Sequence, residues 1–304
     1  MKRIFILALL VVFSAASPAL AKKQRAPAGS VNPLHFFTFG DWGTGNQAEK
    51  NVEMQTQKVC ALLGCDFGLF LGDNFYEDGV TSVDDPKWNS RYVDIYHPLK
   101  VPMYAIVGNH DWNGNAKAQV EYTKKDPYWK MPAFNYSFSY PINNNRKDKT
   151  PPLVEVFAIN TSKFTHEAEV ELSTALDKSR ATWKILALHH PIIDNAGGDD
   201  DMDQKKLWPK LRPLVCGKID VMLSSDEHFF SHLKDTSDTC KPEQLIIGTG
   251  GRRLETPRSV PKNIQLFYTE SSHGLGFFEV FPTELQFRFI REDGTVPYKY
   301  VWKK

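Results

Sequence analysis

The stretch "FGLFLGDNFYEDGV", residues 67–80, holds the pattern that organises the chain. Phe67–Leu71 is a short apolar run bounded by turn residues, which reads as a buried strand. It breaks at Gly72, and Asp73, Asn74 and Tyr76 follow at once. The same construction recurs on both sides of it. His35–Gly40 runs into Asp41-Trp42-Gly43, and Met103–Val107 into Gly108-Asn109-His110-Asp111. Trp183–Leu188 runs into His189-His190-Pro191, and Asp220–Leu223 into Ser225-Asp226-Glu227-His228. Leu153–Ile159, Leu245–Ile247, Gly276–Phe281 and Leu285–Ile290 complete the set of strands. Between the first two strands, Val52, Thr56, Val59 and Leu63 recur at helical spacing. Strands alternating with helices predict an α/β architecture with part of its sheet parallel, and the late strands predict meanders or hairpins. Asn143–Pro152 and Asn195–Gln204 read as polar loops, and nothing marks a second domain boundary.

In open α/β sheets, ligands bind outside the carboxyl ends of the strands. Five strands here deliver carboxylates, an amide, imidazoles and a phenol to such ends. A Gly-Asp after a strand is by itself a turn, and a pair of histidines is by itself unremarked polar surface. Together, in this order, they predict a metal cluster assembled from distant parts of the chain. In an extended strand, alternate residues share a face. The sequence reading therefore sends Asp226 and His228 to one side and Glu227 to the other.

Composition bounds the rest. Lys2 and Arg3, the apolar run Ile4–Phe13 and Ala19-Leu20-Ala21 read as a secretory signal over residues 1–21, too short in its apolar part to span a bilayer. Residues 22–33 read as a flexible linker and residues 34–304 as one domain. The expected mature protein is secreted or periplasmic, with no membrane span. Loss of Lys2 and Arg3 lowers the formal charge by two from +1 to −1, so nucleic acid is not an expected partner. Four cysteines in an exported chain predict disulfides. Three pairings are possible, and local spacing favours Cys60–Cys65 with Cys216–Cys240. Asn135-Tyr-Ser137 and Asn160-Thr-Ser162 are glycan acceptor sequences where the host glycosylates exported proteins.

From about residue 34 onward the sequence resembles the purple acid phosphatases, closest to their small, tartrate-resistant type, within the calcineurin-like metallophosphoesterases. The likeness is densest in Leu69–Tyr140, where "LGDNFYEDGV" (71–80) and "GNHDWNGNAKAQVEY" (108–122) match almost without gaps. It implies two mixed β-sheets packed as a sandwich and flanked by helices, in a single domain. It also implies a redox-active Fe(III) beside a divalent Fe, Zn or Mn. Carried over residue by residue, Asp41, Asp73, Tyr76 and His228 would hold Fe(III). Asp73 would bridge to the divalent ion, shared with Asn109, His189 and the residue at 226. His110 resembles the histidine that binds phosphate and protonates the leaving alkoxide. The implied activity is hydrolysis of a small phosphate ester or phosphoprotein by cation-activated water.

Two features depart from the pattern. The family reads Gly-His-x-His where this chain reads Ser225-Asp226-Glu227-His228, and Asp226 lowers the formal charge of the cluster by one unit relative to a histidine. A second family histidine, about nine residues after His189, is replaced by Gly197-Gly198-Asp199-Asp200-Asp201. The departures leave two other readings beside the acid phosphatase. One is a non-catalytic binding or scaffold module on the same fold. The other is a phosphodiesterase or nucleotide-directed enzyme with the same core.

Overall fold

The computed structural model describes residues 32–142, 150–193, 195, 202–240 and 242–304, and the side chains of 202–205 are not described. The expected signal and most of the linker, and the acidic run 197–201, lie outside the described residues. The strands are β1 (Leu34–Phe39), β2 (Phe67–Phe70), β3 (Met103–Ala105), β4 (Trp129–Lys130), β5 (Tyr136–Tyr140), β6 (Val154–Ala158) and β7 (Trp183–Ala187). They continue as β8 (Val221–Ser224), β9 (Phe230–Asp235), β10 (Glu243–Ile247), β11 (Ile264–Glu270), β12 (Gly274–Val280), β13 (Glu284–Arg291) and β14 (Tyr298–Lys303). The α-helices are α1 (Gln47–Leu63), α2 (Asp94–Tyr96), α3 (Asn109–Asn113), α4 (Ala116–Tyr122), α5 (His166–Lys178) and α6 (Met202–Val215).

The strands form two seven-stranded sheets, ordered β14-β13-β12-β1-β2-β3-β4 and β11-β9-β10-β8-β7-β6-β5. Both are mixed. β1 to β4 run parallel and β12 to β14 antiparallel in the first. β6, β7, β8 and β10 run parallel in the second. Their facing sides meet in an aromatic core. Phe36 stacks on Phe67 and Phe278 of the first sheet, and Phe67 stacks on Tyr140 of the second at 4.8 Å. Phe230 of the second sheet stacks on Phe289 of the first at 4.4 Å. Such pairs add about 0.5–1.5 kcal/mol each beyond area burial.

α1 follows from its sequence. The Asn46 side chain accepts from the Glu49 amide at its start, Val52, Thr56 and Val59 face inward, and Gly64 ends it at φ 90°. α6 begins inside the expected Asn195–Gln204 loop, which is corrected accordingly. Pro209 and Pro213 argue against a helix there. The stripe Leu207, Leu211, Val215, buried with Leu172 and Leu176 of α5 against the second sheet, outweighs them.

Asn160 does not fit a glycan acceptor in the folded chain. It is buried, its backbone N–H donates to Asn135 Oδ1 at 2.9 Å, and its side-chain Oδ1 accepts from Trp112.

The disulfides are Cys60–Cys65 and Cys216–Cys240. Their loops span 5 and 24 residues. Loop-closure entropy then assigns about 2 kcal/mol to the first and about 3.5 kcal/mol to the second. Denaturant unfolding should therefore place Cys240→Ser below Cys65→Ser in midpoint. The reverse order would contradict the entropic account.

Candidate metal centre

The parallel strands of both sheets end at one edge, and short links lock the two edges together. Gly40 N, at the end of β1, donates to Ile247 O at the end of β10, and Gly250 N donates back to Gly40 O. Ser225 Oγ, after β8, donates across to Leu71 O, after β2, at 2.6 Å. Gly72 sits at φ 97°, and a Cβ there would lie 2.5 Å from His189 Nδ1, so only glycine lets these two loops touch.

The loop after β1 carries Asp41, the loop after β2 carries Asp73 and Tyr76, and α3 opens with Asn109 and His110. His189 follows β7, and Asp226 and His228 follow β8. All eight side chains singled out from the sequence stand at this edge, in two groups that share Asp73. On one side, the Tyr76 hydroxyl donates to Asp41 Oδ1 at 2.9 Å and lies 3.4 Å from His228 Nε2. On the other, His189 Nε2 lies 2.9 Å from Asn109 Oδ1, 3.4 Å from Asp73 Oδ1 and 3.3 Å from Asp226 Oδ1. Donor atoms of Asp41, Asp73 and His189 lie within 4.8 Å of one another.

The geometry of Asp226 corrects the extended-strand expectation. β8 ends at Ser224, and Asp226 has φ 72° in the turn beyond it. It still faces the same cluster as His228, because the left-handed turn redirects the chain. Its amide donates to Asp41 Oδ2 at 2.9 Å, which ties the two groups together. Asp41 (φ 57°) and Asp73 (φ 50°) share this backbone, so three of the four non-glycine residues with positive φ among those described are carboxylates of the cluster. Left-handed backbone is uncommon outside glycine, and aspartate is among the residues that tolerate it. Strain of this kind concentrates at functional sites.

A buried polar layer holds the loops from behind. Asp111 turns away from the cluster, accepting from Gly108 N at 2.9 Å, from Asn74 N at 3.1 Å and from Gln119 Nε2 at 2.8 Å. Asn74 Oδ1 accepts from Trp42 Nε1, and its Nδ2 donates to Ile106 O. Three site loops are thus fixed by two side chains. Burial, with Asp73 nearby, pushes the Asp111 carboxyl up to about 7.

The electrostatics fit cations. Burial pushes Asp41 up to about 6, against the pull of His228 and His189. Burial, then the charges of Asp41 and Asp73, keep the Tyr76 phenol far above its usual range. Burial opposes charge on His189, yet Asp73, Asp226 and Asp41 hold its pKa well above normal. Burial would also raise Asp226, but its hydrogen bond to His189 holds it down at about 2. Buried carboxylates this close to one another require opposite charge. Carboxylate, amide and imidazole groups are established oxygen and nitrogen donors to metal cations.

Sequence reasoning missed the rim. After β10, Gly248-Thr-Gly-Gly251 leads to Arg252, whose guanidinium lies 4.4 Å over the Tyr76 ring and pairs with Glu77 at 2.8 Å. The Glu77 carbonyl lies 2.6 Å from His110 Nδ1. The signal was available, since Leu245–Ile247 is another apolar run ending in glycines. Glu255, 3.4 Å from His228 Nδ1, steadies that ring.

The family model described as calcineurin-like phosphoesterase matches residues 34–230. Among curated proteins, the chain is similar to purple acid phosphatase 7 of Arabidopsis thaliana, 29% identical over 304 residues, covering 90% of this chain and 88% of that protein. It is 26% identical to human tartrate-resistant acid phosphatase type 5 over 324 residues, covering 96% of each. Among solved structures, the GAP50 anchor in the inner membrane complex of Plasmodium matches with a TM-score of 0.76 at 21% identity, covering 90% and 89% of the two chains. The purple acid phosphatase PPD1 from yellow lupin (Lupinus luteus) seeds matches with a TM-score of 0.68 at 14% identity, covering 90% of this chain and 54% of that one.

Proposed function

The chain belongs to the calcineurin-like phosphoesterase family, and from that premise we propose that it is an exported acid phosphatase hydrolysing phosphomonoesters with two cations. Residues 1–21 are then the export signal, 22–33 a linker and 34–304 the catalytic domain. The observation that carries this reading is the convergence of two donor groups on a shared Asp73, with His110 at their margin. Asp41, Asp73, Tyr76 and His228 would hold Fe(III), and Asp73, Asn109, His189 and Asp226 a divalent Fe, Zn or Mn. Bound there, the pair supplies water activation and charge to stabilise an in-line phosphoryl displacement.

The chain's own residues do the rest. Nδ1 of His110 donates to the Glu77 carbonyl, which leaves Nε2, 3.9 Å from Asp73 Oδ2, to hand a proton to the leaving oxygen. Arg252 adds a cation at the rim, where a phosphate ester approaches. The testing experiment is steady-state hydrolysis of an aryl phosphate, with metal analysis of the same sample. Hydrolysis with iron and a divalent metal supports the proposal. Absence of both hydrolysis and divalent metal at every pH favours the second reading, a binding module, to which the exchange at Asp226 also points.

Tyr76 gives a separate spectroscopic prediction. Iron held by its phenolate absorbs broadly in the visible, so Tyr76→Phe should lose that band with the fold intact by circular dichroism. Colourless, active wild-type protein carrying only zinc or manganese would refute the iron assignment and leave the phosphatase reading standing.

A further inference from the structure

One imidazole at this edge has no role in the assignments above. His190 follows His189 directly, and a ring nitrogen of each lies within 4.8 Å of the other and of an Asp226 carboxylate oxygen. The two rings stand nearly perpendicular, at 76°, with centroids 4.9 Å apart. Consecutive residues leaving a strand ordinarily diverge. Here both stay at the cluster, one buried and one half-buried.

Thr161 is the reason. It begins the segment after β6, and its Oγ1 accepts from the backbone N–H of His190 at 3.2 Å. The same oxygen lies 2.7 Å from His190 Nδ1. One hydroxyl therefore fixes both the backbone and the ring. With Nδ1 engaged by Thr161, Nε2 is the nitrogen that would meet an ion. A histidine whose second nitrogen is engaged by a neighbouring oxygen is the usual form of a metal-ligating imidazole.

We propose that His190 is an additional ligand of the divalent ion, completing with Asp226 the donor set that a single histidine provides in the resembled pattern. This rests on the reading of His189 and Asp226 as divalent-site ligands. The exchange at 226 replaced a nitrogen donor with an oxygen donor. Without His190, the divalent site has one imidazole among three oxygen donors. With it, the set is two nitrogens and three oxygens, which shifts preference from manganese toward zinc and cobalt. The neutral imidazole adds a donor without changing the charge that Asp226 sets.

Zn(II) titrated into chelator-stripped whole protein, against a chromophoric competitor, tests this. The wild type should bind two equivalents. His190→Ala should weaken one equivalent at least tenfold and leave the other unchanged. Thr161→Val should weaken the same equivalent by a smaller factor. In nitrogen-labelled protein, the His190 Nε2 resonance should shift on zinc binding. His190→Gln, compared by circular dichroism, serves if His190→Ala does not fold. Unchanged zinc affinity in the His190 variants, with Asp226→Ala weakened, would overturn the role of His190 and leave the site reading intact. A wild type that binds no second equivalent would overturn the site reading, and the role of His190 with it.

Discussion

Asp226→Ala is expected, on the proposed two-cation reading, to strip the divalent ion from the protein and to lower turnover by at least about a hundredfold, since the change would remove a ligand outright. The proposed Fe(III) side, with the visible band expected of it, should persist, because Asp41, Tyr76 and His228 make their contacts without the Asp226 carboxylate. Two features complicate the alanine variant, and both can be controlled. Asp226 sits at φ 72°, where alanine costs about 1–2 kcal/mol. Its amide also holds Asp41 Oδ2 at 2.9 Å, so a backbone shift would reach the other metal. Asp226→Asn tolerates the same backbone and keeps an oxygen donor while removing the charge, so it separates ligand loss from strain. Asp226→His should raise the cluster's charge by one unit and tighten inhibition by phosphate. Unchanged metal content and turnover in Asp226→Ala would show that Asp226 is not a ligand.

His110→Ala is expected to lower turnover on alkyl phosphates by about 10²–10⁴-fold, the range for loss of a positioned acid. The loss on nitrophenyl phosphate should be much smaller, because that leaving group departs without a proton. The tautomer argues for the difference. Nδ1 is committed to the Glu77 carbonyl at 2.6 Å, so only Nε2 exchanges its proton toward substrate. Parallel leaving-group series for the two proteins decide it: equal losses on both substrates would make His110 a positioning group alone.

The sequence made the site more legible than the fold around it. Motifs such as Gly108-Asn109-His110 are short, and the chemistry they carry lies within a few residues of a strand end. Buried parallel strands such as β1, β2 and β7 read as apolar runs because both of their faces are covered. β5 (Tyr136–Tyr140) and β14 (Tyr298–Lys303) carry the period-two pattern of half-exposed strands and went unread. β9 hides His232 and Lys234 in a six-residue strand, where they look like loop. They are accommodated because Glu243 faces both side chains and the Tyr298 hydroxyl meets the imidazole. Arg252 was missed for another reason. Its partner Glu77 is 175 residues distant, and nothing local to either announces the pairing.

The left-handed backbone at residues 41, 73 and 226 also limits how this site can change over evolutionary time. That conformation disfavours branched and bulky side chains and is enriched, beyond glycine, in aspartate, asparagine and histidine. All three are metal donors. Mutational drift at these positions is therefore filtered by the main chain before any selection on activity operates, and the filter passes mainly residues that can still coordinate an ion. The aspartate standing where the resembled pattern has histidine is the kind of exchange such a filter admits. A lineage can move along this narrow path, altering metal preference or catalytic rate, while the loop that presents the side chain stays as it was.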